Sequence, residues 1–197
     1  MKMIDISRNI FTSPVEEGQV EPRLQKIRNI EAGDDANETA IYASLQTGTY
    51  VLAPSHIFEE EDEMNSIGDY PIDTFVGPVT VVDVPPGPLT GREIELYFPQ
   101  VTDRVIIRCA GDYQFFAGAA DDLAELGYKL IGYEGSNHGG FDEAAFKRSI
   151  LSSGAVILEG LDLSGLKHGG QYYLMAQPLA TGDTESAPCR AVLLENI

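Results

Sequence analysis

Basic residues are scarce in this chain, as are cysteine, histidine and long apolar runs. Its 13 Lys and Arg stand against 31 Asp and Glu, a formal charge of −18. A polyanionic partner would meet net repulsion with no counterion-release gain, which excludes nucleic acid as an expected ligand. No apolar stretch reaches the 18 or so residues that a membrane span needs, and "MKMIDISRNIF" meets Asp5 and Arg8 before any apolar run develops. A membrane partner and a secretory leader are therefore not expected, and a cytoplasmic location is. Only Cys109 and Cys189 occur, each in an apolar run ("RVIIRCA", "APCRAVLL") with no CxxC spacing, so no disulfide framework or Cys-based metal site is predicted. They read as small buried hydrophobes. There is no internal repeat and no low-complexity tract.

What is present suits one domain spanning 1–197: 43% hydrophobic and 22% charged residues can bury a core without cross-links. The first half reads as strands and loops. "TAIYASLQ" alternates apolar and polar positions, "VTVVDV" and "EIELYF" are β-rich, and "PPGPLTG" is an internal loop. The second half changes rhythm to strand "RVIIRC", helix "GAADDLAELG" closed by Gly127, strand "YKLIGY", helix "FDEAAFKRSILSSG" closed by Gly154, and strand "AVILEGL". That order predicts right-handed crossovers and parallel pairing, followed by two final β runs, "QYYLMAQPLA" and "CRAVLLE". The acidic run Glu59 to Glu63, "EEEDE", lacks the alternating spacing of a calcium loop and reads as a solvated loop or helix end.

"LQTGTYVLAPSHIF", Leu45 to Phe58, bears on chemistry. Taken with "IDIS", "YPIDTFVGPVTVVDV", "DRVIIRC", "LAELGYKLIGYE", "AVILEGLDLSGL" and "APCRAVLL", it resembles the cyclase family that includes bacterial kynurenine formamidase (arylformamidase) and isatin hydrolase. The resemblance covers nearly the whole chain. It implies an α/β fold of the swivelling β/β/α type, a mixed β-sheet with flanking helices, with a β-rich N-terminal half and a βαβαβ C-terminal half. It also implies a homodimer with pocket residues supplied across the interface, a small-molecule ligand, and a zinc or manganese site.

The family pattern at this stretch is H-x-G-T-H-x-D-x-P-x-H. Its first three ligands sit at even offsets, which on an extended strand share one face. Here Gln46 stands for the first histidine, Tyr50 for the second and Leu52 for the aspartate, while Gly48, Thr49, Pro54 and His56 match. The family's distant histidine and glutamate map to Lys147 and Glu159, twelve positions apart. Leucine has no donor atom, a glutamine amide oxygen suits hard cations better than zinc, and a tyrosine must lose a proton with a pKa of about 10. No metal and no other cofactor is therefore expected.

Lys147 can supply the positive charge that the metal would have given, pairing a Glu159 otherwise buried alone. Phe146 and Ile150, four apart, face a core and leave Lys147 at its edge. The alternative is a solvent-facing Lys147 with Glu159 at a strand end. His56 is the candidate general base or acid, with Tyr50 as hydrogen-bond donor and Lys147 as oxyanion partner; an idle, retained His56 is the other reading. Gln46, Gly48, Leu52 and His138 complete the predicted pocket. His138 lies in a glycine-rich loop where a solvated histidine is the plainer reading, and His168 reads as a turn. No Ser/His spacing forms a nucleophile motif. Three functions follow: a hydrolase or cyclase of a small cyclic or aryl amide or lactone working without metal, a non-catalytic binding protein, and an ordinary metal-dependent arylformamidase. The residues fit the third worst.

Overall fold

The computed structural model describes residues 1–15, 18–59, 65–116, 118–134 and 142–195. In chain order the strands are β1 (Lys2–Asp5), β2 (Arg23–Arg28), β3 (Glu38–Tyr42), β4 (Tyr50–Leu52), β5 (Val76–Val84), β6 (Gly87–Leu89), β7 (Arg104–Cys109), β8 (Tyr113–Phe115), β9 (Leu130–Gly132), β10 (Val156–Glu159), β11 (Gly170–Met175), β12 (Ser186–Pro188) and β13 (Val192–Glu195). The helices are α1 (Gly91–Tyr97), α2 (Ala119–Glu125) and α3 (Glu143–Ser152). Nine strands form one mixed sheet in the order β1-β13-β11-β5-β7-β9-β10-β4-β12. Its centre, β5-β7-β9-β10, is parallel, as the strand–helix alternation predicts, and its flanks are antiparallel. Among the described residues, no helix is long and apolar enough to cross a membrane.

Strand alternation splits the core in two. Val51, Ile106, Val156 and Leu158 point to one side of the sheet, where they pack with Ile6, Val79, Val81, Leu174 and Leu193. Their neighbours Tyr50, Leu52, Val105, Ile107, Ile131 and Ile157 point to the other side. That second face is covered by the helices, through Ile94 of α1, Leu123 of α2, and Phe146, Ile150 and Leu151 of α3. With both faces buried, the central strands read as continuous apolar runs, as parallel strands do.

Three expectations need correction. "EIELYF" is not a strand, since Gly91–Tyr97 is a helix. Thr90 caps it, accepting from the Arg92 amide at 3.3 Å, while the Glu93 carboxylate accepts from the Thr90 amide at 3.0 Å. Ile94 and Phe98, four apart, are buried and Leu96 is exposed, which is helical spacing. The strand predicted through "TAIYASLQ" stops at Tyr42, and its residues are all exposed. Among the described residues it pairs with β2 alone, in a separate hairpin whose residues are equally exposed. The two cysteines are half-buried and unbonded, not fully buried.

Candidate active site

The stretch from Leu45 turns before it extends. Leu45–Thr49 forms turn and bend, and only Tyr50–Leu52 is strand. Gly48 has φ +79°, a backbone conformation that favours glycine, and a Cβ there would meet Ile10 at 2.9 Å. Gln46 therefore does not share the strand face with Tyr50 and Leu52, as an uninterrupted strand would have required. It lies instead against His56, Nε2 to Nδ1 at 3.3 Å. His56 closes the one-turn helix Pro54–His56 that follows β4.

β4 is held beside β10 by more than its ladder. Tyr50 pairs with Glu159 and Leu52 with Ile157. The Thr49 hydroxyl accepts from the Arg8 amide at 2.8 Å and donates to the Gly160 carbonyl at 2.6 Å. Gly160, at φ +72°, lets the two backbones close up, since a Cβ would lie 1.9 Å from the Gly48 carbonyl oxygen. On its other side β10 runs parallel to β9, with Leu158 opposite Gly132. Continuing that register by one residue sets Tyr133 opposite Glu159, and the Tyr133 amide donates to the Leu158 carbonyl at 3.0 Å. Tyr50, Glu159 and Tyr133 thus form a transverse row on the helix-covered face.

Above the row lies α3. Lys147 Nζ is 2.9 Å from Glu159 Oε2 and 2.5 Å from Glu143 Oε1, and these side chains are 11%, 2% and 24% exposed respectively. The solvent-facing alternative for Lys147 is excluded by this geometry. Burial pushes the Glu159 carboxyl up to about 7; Lys147 pulls it down but does not offset burial, and nearby Glu143 adds to the rise. Burial alone would lower Lys147, but the carboxylates of Glu159 and Glu143 outweigh it and hold the ammonium above the usual lysine value. Burial, then Glu159 and Glu143, hold the Tyr133 phenol well above its ordinary pKa, so it stays protonated.

Aromatic rings wall this cluster. Phe115 stacks on Phe146 at 4.5 Å, Tyr133 meets Phe146 edge-on at 5.5 Å, and Tyr113 meets Phe115 edge-on at 5.8 Å. Phe58, two residues past His56, lies under the Arg148 guanidinium of α3 at 5.7 Å, so the Pro54–His56 segment is anchored on the same helix. The fold therefore unites Tyr50, Lys147 and Glu159, and pairs Gln46 with His56. His138 lies outside the described residues, as does most of the acidic run after Glu59. His168 is an exposed bend residue next to Tyr172, bonded through Nδ1 to the Gly169 carbonyl at 2.8 Å. Sequence reasoning missed two members. Glu143 carried a signal, a Glu four residues before a Lys on one helix. Tyr133 carried none short of the strand register.

A family model described as "Putative cyclase" matches residues 4–134. This chain belongs to the cyclase family. Among curated members, it is 32% identical to a kynurenine formamidase from Delftia acidovorans, covering 98% of this chain and 97% of that one. It is 29% identical to a kynurenine formamidase from Bacillus thuringiensis, covering 83% and 82%. An isatin hydrolase crystallised with the product analogue thioisatinate superposes with a TM-score of 0.79 at 18% identity, covering all of this chain and 93% of that one. The fold is thus the cyclase-family fold, and the chain is a member of a hydrolase family.

The zinc or manganese that the family resemblance implies would find few of the family pattern's donors among the described residues. Leu52 is fully buried without a donor atom, and an ammonium sits within ion-pair distance of the retained carboxylate. Among the described residues, no three His, Cys, Asp or Glu side chains stand together as a cation would need.

Proposed function

We propose that this cyclase-family protein hydrolyses a small aryl or cyclic amide or lactone without a metal, with the Lys147 ammonium in the place of the metal's charge. The observation that carries this reading is the 2.9 Å contact between Lys147 and the buried Glu159. An unpaired carboxylate is not tolerated at that depth, and a lysine that neutralises it leaves further donors for a developing oxyanion. In the proposed step His56 takes a proton from water as it adds to the carbonyl carbon, and Lys147 and Tyr50 donate to the resulting oxyanion. The carbon–nitrogen or carbon–oxygen bond then breaks, and the protonated His56 returns its proton to the leaving group, while Glu159 stays the carboxylate that orients Lys147.

The test is hydrolysis of N-formylkynurenine and isatin by dialysed protein of measured metal content. Turnover by metal-free wild type, reduced at least roughly a hundredfold in His56→Ala and Lys147→Met, is expected. Turnover that tracks stoichiometric zinc or manganese would overturn the reading. A second reading, ligand binding without turnover, draws on the Gln46–His56 contact, which engages the ring of the proposed base. Saturable binding of either compound with no product formed would select it.

The family resemblance also supports a homodimer. The β2–β3 hairpin is the surface we assign to it. Leu24, Ile27, Ile30, Ile41 and Tyr42 are each more than half exposed there.

A further inference from the structure

Among the described residues, the Thr47, Ser55 and Tyr133 hydroxyls and Glu159 Oε2 are buried without a hydrogen bond; Glu159 has its ion pair with Lys147, and Tyr133 is the hydroxyl that lies in the row beside it. Tyr133 is 2% exposed, and its hydroxyl makes no hydrogen bond with any described residue. Burying a hydroxyl without a partner opposes folding, so such a group calls for a bound partner, an ordered water or a ligand atom. Its surroundings say which kind. It lies in the row with Glu159 and Tyr50, its ring held edge-on against Phe146, the neighbour of Lys147 in α3. Lys147 has three N–H groups, of which the carboxylates of Glu143 and Glu159 engage two. A hydroxyl that stays protonated and a third ammonium N–H are both donors, and together they call for an oxygen acceptor.

The charge on that acceptor is also constrained. With Glu143 and Glu159 ionised, one ammonium between two carboxylates leaves the cluster net negative, and among the described residues the tyrosines beside it, Tyr50, Tyr113 and Tyr133, bring no positive charge. A carboxylate ligand would be repelled and a neutral carbonyl would not. Phe115, Phe146 and Tyr113 offer the planar, apolar wall that an aromatic ring prefers.

We propose that Tyr133 is a ligand-contacting residue whose hydroxyl, with the remaining N–H of Lys147, holds the carbonyl oxygen of a neutral aryl amide or lactone. The ligand class rests on the function proposed above; the role of the hydroxyl does not. Wild type and Tyr133→Phe would be compared by thermal unfolding alone and with benzamide or benzoate as probes. We expect the unliganded variant to melt no lower than wild type, because the hydroxyl removed had no partner. Benzamide should raise the melting temperature of wild type and bind about tenfold more weakly to the variant, as for one lost hydrogen bond, and benzoate should raise neither. The proposal is overturned if the unliganded variant melts several degrees lower, if benzamide stabilises both proteins alike or neither, or if benzoate matches benzamide. Failure of hydrolysis in the separate turnover assay would remove the catalytic reading and leave these outcomes intact.

Discussion

A carboxylate buried as deeply as Glu159 forces its neighbours to answer for its charge, and here the answer is one lysine shared with Glu143. Removing that lysine should be expensive. Lys147→Met leaves Glu159 without a cation, and urea unfolding at pH 8 should show a loss of roughly 3–5 kcal/mol, shrinking at pH 5 where the carboxyl can be neutral. The pH dependence follows from the same group. Its folded pKa, about 7, lies above the ordinary 4.5, so the protonated form favours the folded state. The stability this confers is fully present below 4.5 and is lost as pH rises through 7. Between those limits wild type should lose roughly 1–3 kcal/mol relative to Glu159→Gln, and parallel unfolding curves for the two proteins would refute the assignment. The ion pair was legible in the sequence because the offset from Lys147 to Glu159 matches a known constellation. Glu143 was legible in principle from helical spacing. Tyr133 was not, because its role depends on which residue of a neighbouring strand lies opposite it, and a single sequence carries no register.

At the scale of elements, the site depends on how closely β4 and β10 approach. That closeness depends on Gly160 carrying no side chain beside the Gly48 carbonyl, which yields a paired prediction. Gly160→Ala would drive a methyl to within 1.9 Å of the Gly48 carbonyl as well as straining a φ of +72°. It should cost more than about 3 kcal/mol and displace Glu159 from Tyr50. Gly154→Ala has a similar φ, +81°, but open space around it, so about 1–2 kcal/mol of backbone strain is all that circular dichroism melts should reveal. The second half of the fold was legible element by element because each helix ends on a glycine and each strand is a short apolar run. α1 was misread because "EIELYF" alternates like a strand, while the signal that decides it, a threonine three residues before a glutamate, lies in the preceding loop. Thr90→Ala should accordingly cost about 1 kcal/mol in chemical denaturation. Gln46 was misplaced for a related reason: extending a strand pattern backwards through Gly48 ignores the turn that its positive φ creates.

For the molecule as a whole, the feature that does not explain itself is the β2–β3 hairpin. Two strands alone are marginal in water, and every residue of these two is exposed; among the described residues they are held by their own ladder, by the ion pair of Arg28 with Glu38 at 3.4 Å and by the Arg23 guanidinium 4.8 Å over the Tyr42 ring. The opposed pair Leu24 and Ile41, 58% and 61% exposed, places branched apolar side chains together where water would cover them. Nothing in the sequence pattern revealed this, because alternation reads the same whether a strand's apolar face meets its own core or another copy. If a second copy covers the hairpin, the pair should be sensitive to charge placed at its centre. Leu24→Glu combined with Ile41→Glu sets like charges opposite each other in each hairpin and, in a dimer, against those of the partner, within a chain already at −18. Light scattering coupled to size exclusion should then show a dimer for wild type and a monomer for the double variant, with far-ultraviolet circular dichroism unchanged because the main sheet does not include these strands. A wild-type protein that remains monomeric at tens of micromolar would remove the hairpin as a dimer surface. A double variant that still dimerises would move the interface elsewhere on the chain.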